Sequence, residues 1–83
     1  PHHLDTNGHV NNGQHVRMAM DYIPADWRIR QMRAEYKRQA VLNDRLIPVV
    51  AVNTEKTLYT VSLNGEDKRP YSIVEFTGQQ YTD

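Results

Sequence analysis

Residues 2–12, HHLDTNGHVNN, gather most of the side chains in this chain that can do chemistry. The stretch holds the Asp5 carboxylate, the imidazoles of His3 and His9, and the amides of Asn7, Asn11 and Asn12, set around Gly8. Asp5 and His9 stand four residues apart across that glycine, so their side chains can converge on one water. Asp5 would then be base or nucleophile, His9 would orient the water or share its proton, and Asn7 would hold either through its amide. A helix is expected directly afterwards. Its first backbone N–H groups, near Val10, Asn11 and Asn12, would be unpaired and partly positive, which suits a polarised carbonyl or a developing oxyanion. The alternative is a capped, hydrogen-bonded turn with no chemistry. His2, His3, His9 and His15 fit no zinc-ligand spacing, and the adjacent His2 and His3 read as native rather than as the remnant of a tag.

The elements that must position this stretch follow from periodicity. Pro, Asp, Asn and Gly punctuate residues 1–8 as a loop. Asn11 or Asn12 makes a good N-cap. Val16, Ala19, Met20 and Ile23 then fall at helical spacing and predict a helix over about residues 12–22, ended by Pro24. Gln14, Arg17 and Asp21 fall on its wet side, and the methionines read as core filling. Trp27 either caps the core or lines a ligand pocket, and the core reading is the stronger.

From Arg28 the period changes to two. Met32, Ala34, Tyr36, Ala40 and Leu42 share one face of a long strand, and Arg33, Glu35, Lys37 and Gln39 share the other. The basic cluster Arg28, Arg30, Arg33, Lys37 and Arg38 reads as a solvated face. Its functional alternative is docking of an acidic protein or of a phosphate group. Asn43-Asp44 is a turn. Residues 46–52 form a second strand, in which Pro48 argues for an edge or a bulge. Residues 53–55 make a hairpin connection and 57–63 a third strand. Asn64-Gly65 is a turn dipeptide, 71–77 the last strand, and 78–83 a frayed tail.

Bulk properties narrow the classes. Eighty-three residues make one small domain, burying roughly 60–65% of the surface its unfolded chain exposes. Ten basic and ten acidic side chains cancel, which argues against nucleic acid or an anionic membrane as partner. Without cysteine there is no disulfide, thiol nucleophile or thiolate metal site. No apolar run is long enough to span a bilayer and no secretory signal is visible, so a cytoplasmic setting is expected. A mean hydropathy of −0.75 suits a sheet with one wet face.

The run Asp5-Thr6-Asn7-Gly8-His9-Val10-Asn11-Asn12 resembles the D-x-N-x-H-V-N-N signature of the acyl-acyl-carrier-protein thioesterases, in particular the second of their two hotdog repeats. Ala34-Glu35-Tyr36-Lys37-Arg38-Gln39-Ala40 resembles that family's E-Y-(K/R)-(K/R) strand. The resemblance implies an α+β, hotdog-like fold, one helix wrapped by an antiparallel sheet. The short strand expected before the motif loop is not in the chain, which reads as a piece of a two-repeat protein. The implied activity is hydrolysis of fatty acyl-acyl-carrier-protein to free fatty acid and carrier protein, with no cofactor and no metal. Asp5, Asn7 and His9 stand on its catalytic positions, and Val10, Asn11 and Asn12 at the helix start would bind substrate. The acyl carrier protein is the implied partner, with self-association or a second hotdog repeat covering the open sheet. The chain departs from the family at four positions. Gln39 and Ala40 replace a Glu that is often followed by Cys, and His15 and Met18 replace a Tyr and a Trp on the helix. Gln39 can still hydrogen-bond but cannot be a base. A non-catalytic module binding acyl chain or carrier protein, and a structural half supporting a catalytic repeat, are therefore the alternative readings.

Overall fold

A computed structural model describes residues 12–41 and 43–81; of Asn12 it describes the backbone alone. Helix α1 (Asn12–Met20) precedes four strands, β1 (Trp27–Tyr36), β2 (Ile47–Val52), β3 (Leu58–Asn64) and β4 (Pro70–Gln80). They form a single sheet in the order β1-β4-β3-β2, antiparallel at every pairing. The expected α+β class, the switch from helical to alternating period, and the all-antiparallel sheet are borne out.

The last strand is central and the helix packs on β3 and β4. Paired register sets the helix-side face: Ser72, Val74 and Phe76 of β4 lie between Tyr36, Ala34 and Met32 of β1 and Leu63, Val61 and Tyr59 of β3. Val61, Leu63, Val74 and Phe76 are fully buried there with Ala19 of the helix, and Trp27 closes one end. Burying side chains of this size is worth roughly 1.5–3 kcal/mol each, so these few dominate the favourable side of folding. Trp27 stands edge-on to Tyr59, ring centroids 4.8 Å apart. Its indole N–H donates to the Lys56 carbonyl at 2.7 Å. Lys56 takes φ 59°, and Asn53 braces that turn by accepting from the Thr57 and Leu58 N–H groups at 2.8 and 3.0 Å. Trp27 is thus a core residue, as expected.

Several boundaries differ from the sequence reading, each for a local reason. The helix stops at Met20; Asp21, Tyr22 and Ile23 donate instead to carbonyls three residues back, a tighter winding that brings the chain to Pro24. Gln14 and His15 are buried and Met20 is 48% exposed, so the covered stripe is rotated from the expected one toward His15, Met18 and Ala19. Met18 fills core space as expected and Met20 does not. Strand β1 ends at Tyr36, although Ala40 beyond it is buried.

Residues 78–80 are strand rather than tail. Gly78 N–H donates to the Thr57 carbonyl at 3.0 Å, Tyr81 N–H to the Asp26 carbonyl at 2.8 Å, and the Gln80 amide to the Asp26 carboxylate at 2.9 Å. The turn after β3 is centred beyond Asn64-Gly65. Lys68 N–H returns to the Gly65 carbonyl at 3.0 Å, and Lys68 rather than Gly65 takes the positive φ, 69°.

Two register shifts shape the sheet. In β1, Ile29 pairs with Gly78 and Gln31 with Thr77, leaving Arg30 as the extra residue. Without this bulge, strict alternation would put Trp27 and Ile29 on the face opposite Met32, Ala34 and Tyr36; with it, all five face the helix side. In β4, Leu63 pairs with Ser72 and Asn64 with Pro70, leaving Tyr71 as the extra residue.

Gly78 sits against the first bulge, where a Cβ would fall on the Arg28 carbonyl oxygen and touch the Trp27 ring. That collision is with backbone, which cannot swing aside as a side-chain end can. Gly78→Ala is expected to destabilise the fold by about 1–3 kcal/mol, the usual range for forced overpacking. In a domain this small, that lowers Tm by roughly 4–20 °C. An unchanged Tm in a thermal melt would contradict the bulge packing.

Candidate functional site

Asp5, Asn7, His9, Val10 and Asn11 lie outside the described residues; Asn12 opens α1. The helix begins at the last residue of the motif, so the N–H groups of its first turn belong to that end of the chain. The first turn of the helix carries no acidic side chain.

The helix start and Gln39 come to the same end of the sheet. His15, on the first turns of α1, is buried with its Nδ1 2.7 Å from Ser72 Oγ, in a hydrogen bond whose direction follows the imidazole tautomer. Its ring meets the Tyr36 ring edge-on at 5.9 Å. Ser72 and Tyr36 are register partners at the β1–β4 pairing. Gln39 follows Tyr36 by three positions and is exposed. It borders a depression of about 230 Å³ shared with Tyr36, Lys37 and Arg38. His15 and Ser72 were not foreseen as a buried pair, because a polar side chain at an apolar helical position shows itself only once its partner across the sheet is known.

A second group is built around Arg38. At the β4 bulge, the Tyr71 carbonyl accepts from both Lys37 and Arg38 N–H groups, at 2.8 and 3.3 Å, and this turns the end of β1 over the Tyr71 ring. The Arg38 guanidinium carbon lies 3.9 Å from that ring's centroid. Arg38 Nη2 donates to Asp67 Oδ1 at 2.6 Å and to the Arg69 carbonyl at 2.8 Å. Asp67 also accepts from Arg69, through Nε and through the backbone N–H, both at 3.1 Å. Gly65 leaves the space Arg38 needs, since a Cβ there would come within 2.5 Å of Arg38 Nη2. Lys37 donates to Glu35 at 3.0 Å. Beside this group Lys37, Arg38, Arg69 and Pro70 line an open depression of about 410 Å³. Of the five cations expected to form a solvated face, Arg28, Arg30, Arg33 and Lys37 do so, whereas Arg38 is half-buried and fixed.

Two pKa values shift here. The Arg38 guanidinium first, then the Arg69 backbone N–H, hold the Asp67 carboxyl down from 3.8 to about 2. Burial first, then the hydrogen bond and charge of Asp44, raise the Tyr71 phenol above its ordinary value. Among the described residues no group of His, Asp and Glu is arranged to hold a metal ion. No helix among them is long and apolar enough to cross a membrane.

The depressed Asp67 value sets a pH dependence. The folded state favours the charged carboxylate, so its stabilisation is complete above about pH 4 and is lost as pH falls through about 2. Thermal melts of the native chain and Asp67→Asn are therefore expected to differ near neutral pH and to converge between pH 4 and 2. A gap that stays constant over that interval would contradict the Arg38–Asp67–Arg69 arrangement.

No protein-family model, curated protein or solved structure matches the chain.

Proposed function

We propose that the chain is a hotdog-like repeat of a bacterial-type acyl-acyl-carrier-protein thioesterase, hydrolysing fatty acyl thioesters in the cytoplasm during fatty acid biosynthesis. The observation that supports this reading is the position of α1. It begins at Asn12, the final residue of the D-x-N-x-H-V-N-N run, so a carboxylate, an imidazole and an amide stand in the sequence directly before the helix N-terminus.

In this reading Asp5 takes a proton from water as the water oxygen bonds to the thioester carbonyl carbon. His9 orients that water or shares its proton, and Asn7 holds the pair. The helix-start N–H groups near Val10, Asn11 and Asn12 carry the charge that collects on the carbonyl oxygen. When the C–S bond breaks, the carrier's thiolate leaves and is reprotonated, and the free acid remains. Gln39 supplies an amide where the family resembled has a carboxylate. That departure favours a second reading, a module that binds the acyl chain or carrier protein without cleaving it, or a structural half beside a catalytic repeat. Pairing with a second hotdog repeat or a second copy draws support from β2. This edge strand leaves Val50 and Val52 exposed on the helix side and Ile47 and Val49 exposed on the other.

The test is hydrolysis of a long-chain acyl-carrier thioester by the intact protein and its variants. Asp5→Asn and His9→Ala are each expected to lose ~10²–10⁴-fold, mainly in kcat, the usual cost of removing a general acid or base. Asn7→Ala, which only orients, is expected to lose about 10–100-fold, or roughly 1.4–2.7 kcal/mol. Near-normal kcat in Asp5→Asn would overturn the catalytic reading in favour of the binding module. Sedimentation of the same preparation should show more than one hotdog unit per particle, and a stable lone unit would contradict the pairing.

A further inference from the structure

The fold assembles three cations that the sequence keeps apart. Lys37 and Arg38 leave the end of β1, and Arg69 precedes the start of β4, so the β1–β4 pairing delivers them to one place. Together with Pro70 they line the depression of about 410 Å³. The carboxylates paired with these cations, Glu35 and Asp67, are not among its described lining residues. Among the described residues the charged groups that border the open space are therefore all positive, and the carboxylates paired with them lie outside its lining.

The three cations differ in freedom. Arg38 is fixed by the Tyr71 ring, by Asp67 and by the Arg69 carbonyl. The Arg69 side chain is 74% exposed and commits only its Nε to Asp67 among the described contacts. Its terminal nitrogens remain as a donor fork. Lys37 is 43% exposed and holds Glu35 through one of three ammonium donors. Such an array matches a group with several acceptor oxygens and close to two negative charges. A phosphate monoester has both, whereas a carboxylate has half the charge and fewer oxygens. Much of the lining is carbon, from the aliphatic stems of the basic side chains and the proline ring, and gives an organic substituent a surface to lie against.

We propose that this depression binds the phosphate group of a phosphate ester, with Arg69 and Lys37 donating to its oxygens and Arg38 held behind them as a positioning residue. The site stands on its own geometry and does not depend on thioester cleavage. It adjoins the depression at Gln39, because Lys37 and Arg38 border both.

The experiment is titration of the intact protein with pantetheine 4′-phosphate, inorganic phosphate and unphosphorylated pantetheine, read by calorimetry and by backbone amide shifts. The phosphate ester is expected to bind and to shift amides at residues 37–39, 67–69 and 71, and pantetheine is expected not to bind. Inorganic phosphate binding as tightly as the ester would assign the site to the phosphate group alone; tighter binding of the ester would assign a role to the carbon lining as well. Arg69→Ala should weaken the ester about tenfold or more, the loss of one charge-assisted hydrogen bond, with the melting curve preserved. Arg28→Ala, about 30 Å away along β1, should leave binding unchanged. Affinity should rise with pH through about 6 as the phosphate takes its second charge. Absence of binding at millimolar ester, equal binding of pantetheine, or equal losses in Arg69→Ala and Arg28→Ala would overturn the proposal.

Discussion

The position of β4 between β1 and β3 is the constraint on which the rest of this structure depends. The final strand must be in place before β1 has a neighbour, and β1 carries Trp27, Ile29 and Ala34 to the core. A chain that closes its sheet with its last strand pays loop-closure entropy first and gains its longest pairing last. The Arg30 bulge makes that pairing worthwhile, because it keeps apolar side chains from both ends of β1 on one face. Gly78 is the local condition for the bulge, being the one residue type without a Cβ to strike the Arg28 carbonyl.

The same pairing organises the end of the sheet where the helix begins. Tyr36 and Ser72 meet across β1 and β4, and His15 of the helix rests on both. Immediately beyond, the Tyr71 bulge lets one carbonyl accept from both Lys37 and Arg38 and draws Arg38 over the aromatic ring. The helix start, Gln39 and the cationic depression thus share one end of the sheet because a single strand pair anchors all three. A helix of nine residues covers only the middle of the sheet, so Met32 and Tyr36 on one flank and Val50 and Val52 on the other stay exposed on the helix side. The proposed pairing with a second repeat would place apolar surface where this helix cannot reach.

How much of this was legible follows from what each signal measures. Alternation from Arg28 onward was readable because side-chain direction in a strand depends only on parity, and Pro48 marked an edge because it cannot donate to a ladder. Parity fails at a bulge, and nothing in the letters around Arg30 announces one. Gly78 opens what reads as a frayed tail because chain ends usually fray, whereas here it lies in a paired strand and close backbone approach selects glycine. Gln14 and His15 read as wet or unassigned because polarity predicts exposure unless a partner is supplied, and Ser72 lies far along the chain. The Arg38–Asp67–Arg69 group was half visible, as basic residues after β1, and its acidic partner was hidden in a distant turn. The motif residues Asp5, Asn7 and His9 were the plainest chemical signal in the sequence, and they lie outside the described residues.

In the proposed reaction the motif loop and the tail of β1 act on one reacting centre. Gln39→Glu tests this, because it adds a carboxylate at the position on the β1 tail where the family resembled has one. The measurement is single-turnover hydrolysis of a long-chain acyl-carrier thioester by the intact protein, native against Gln39→Glu, with the fold checked by thermal melting. A shared centre predicts a faster chemical step in the variant, and a gain that disappears when Asp5→Asn is added. A rate unchanged by Gln39→Glu in a normally folded protein would contradict it.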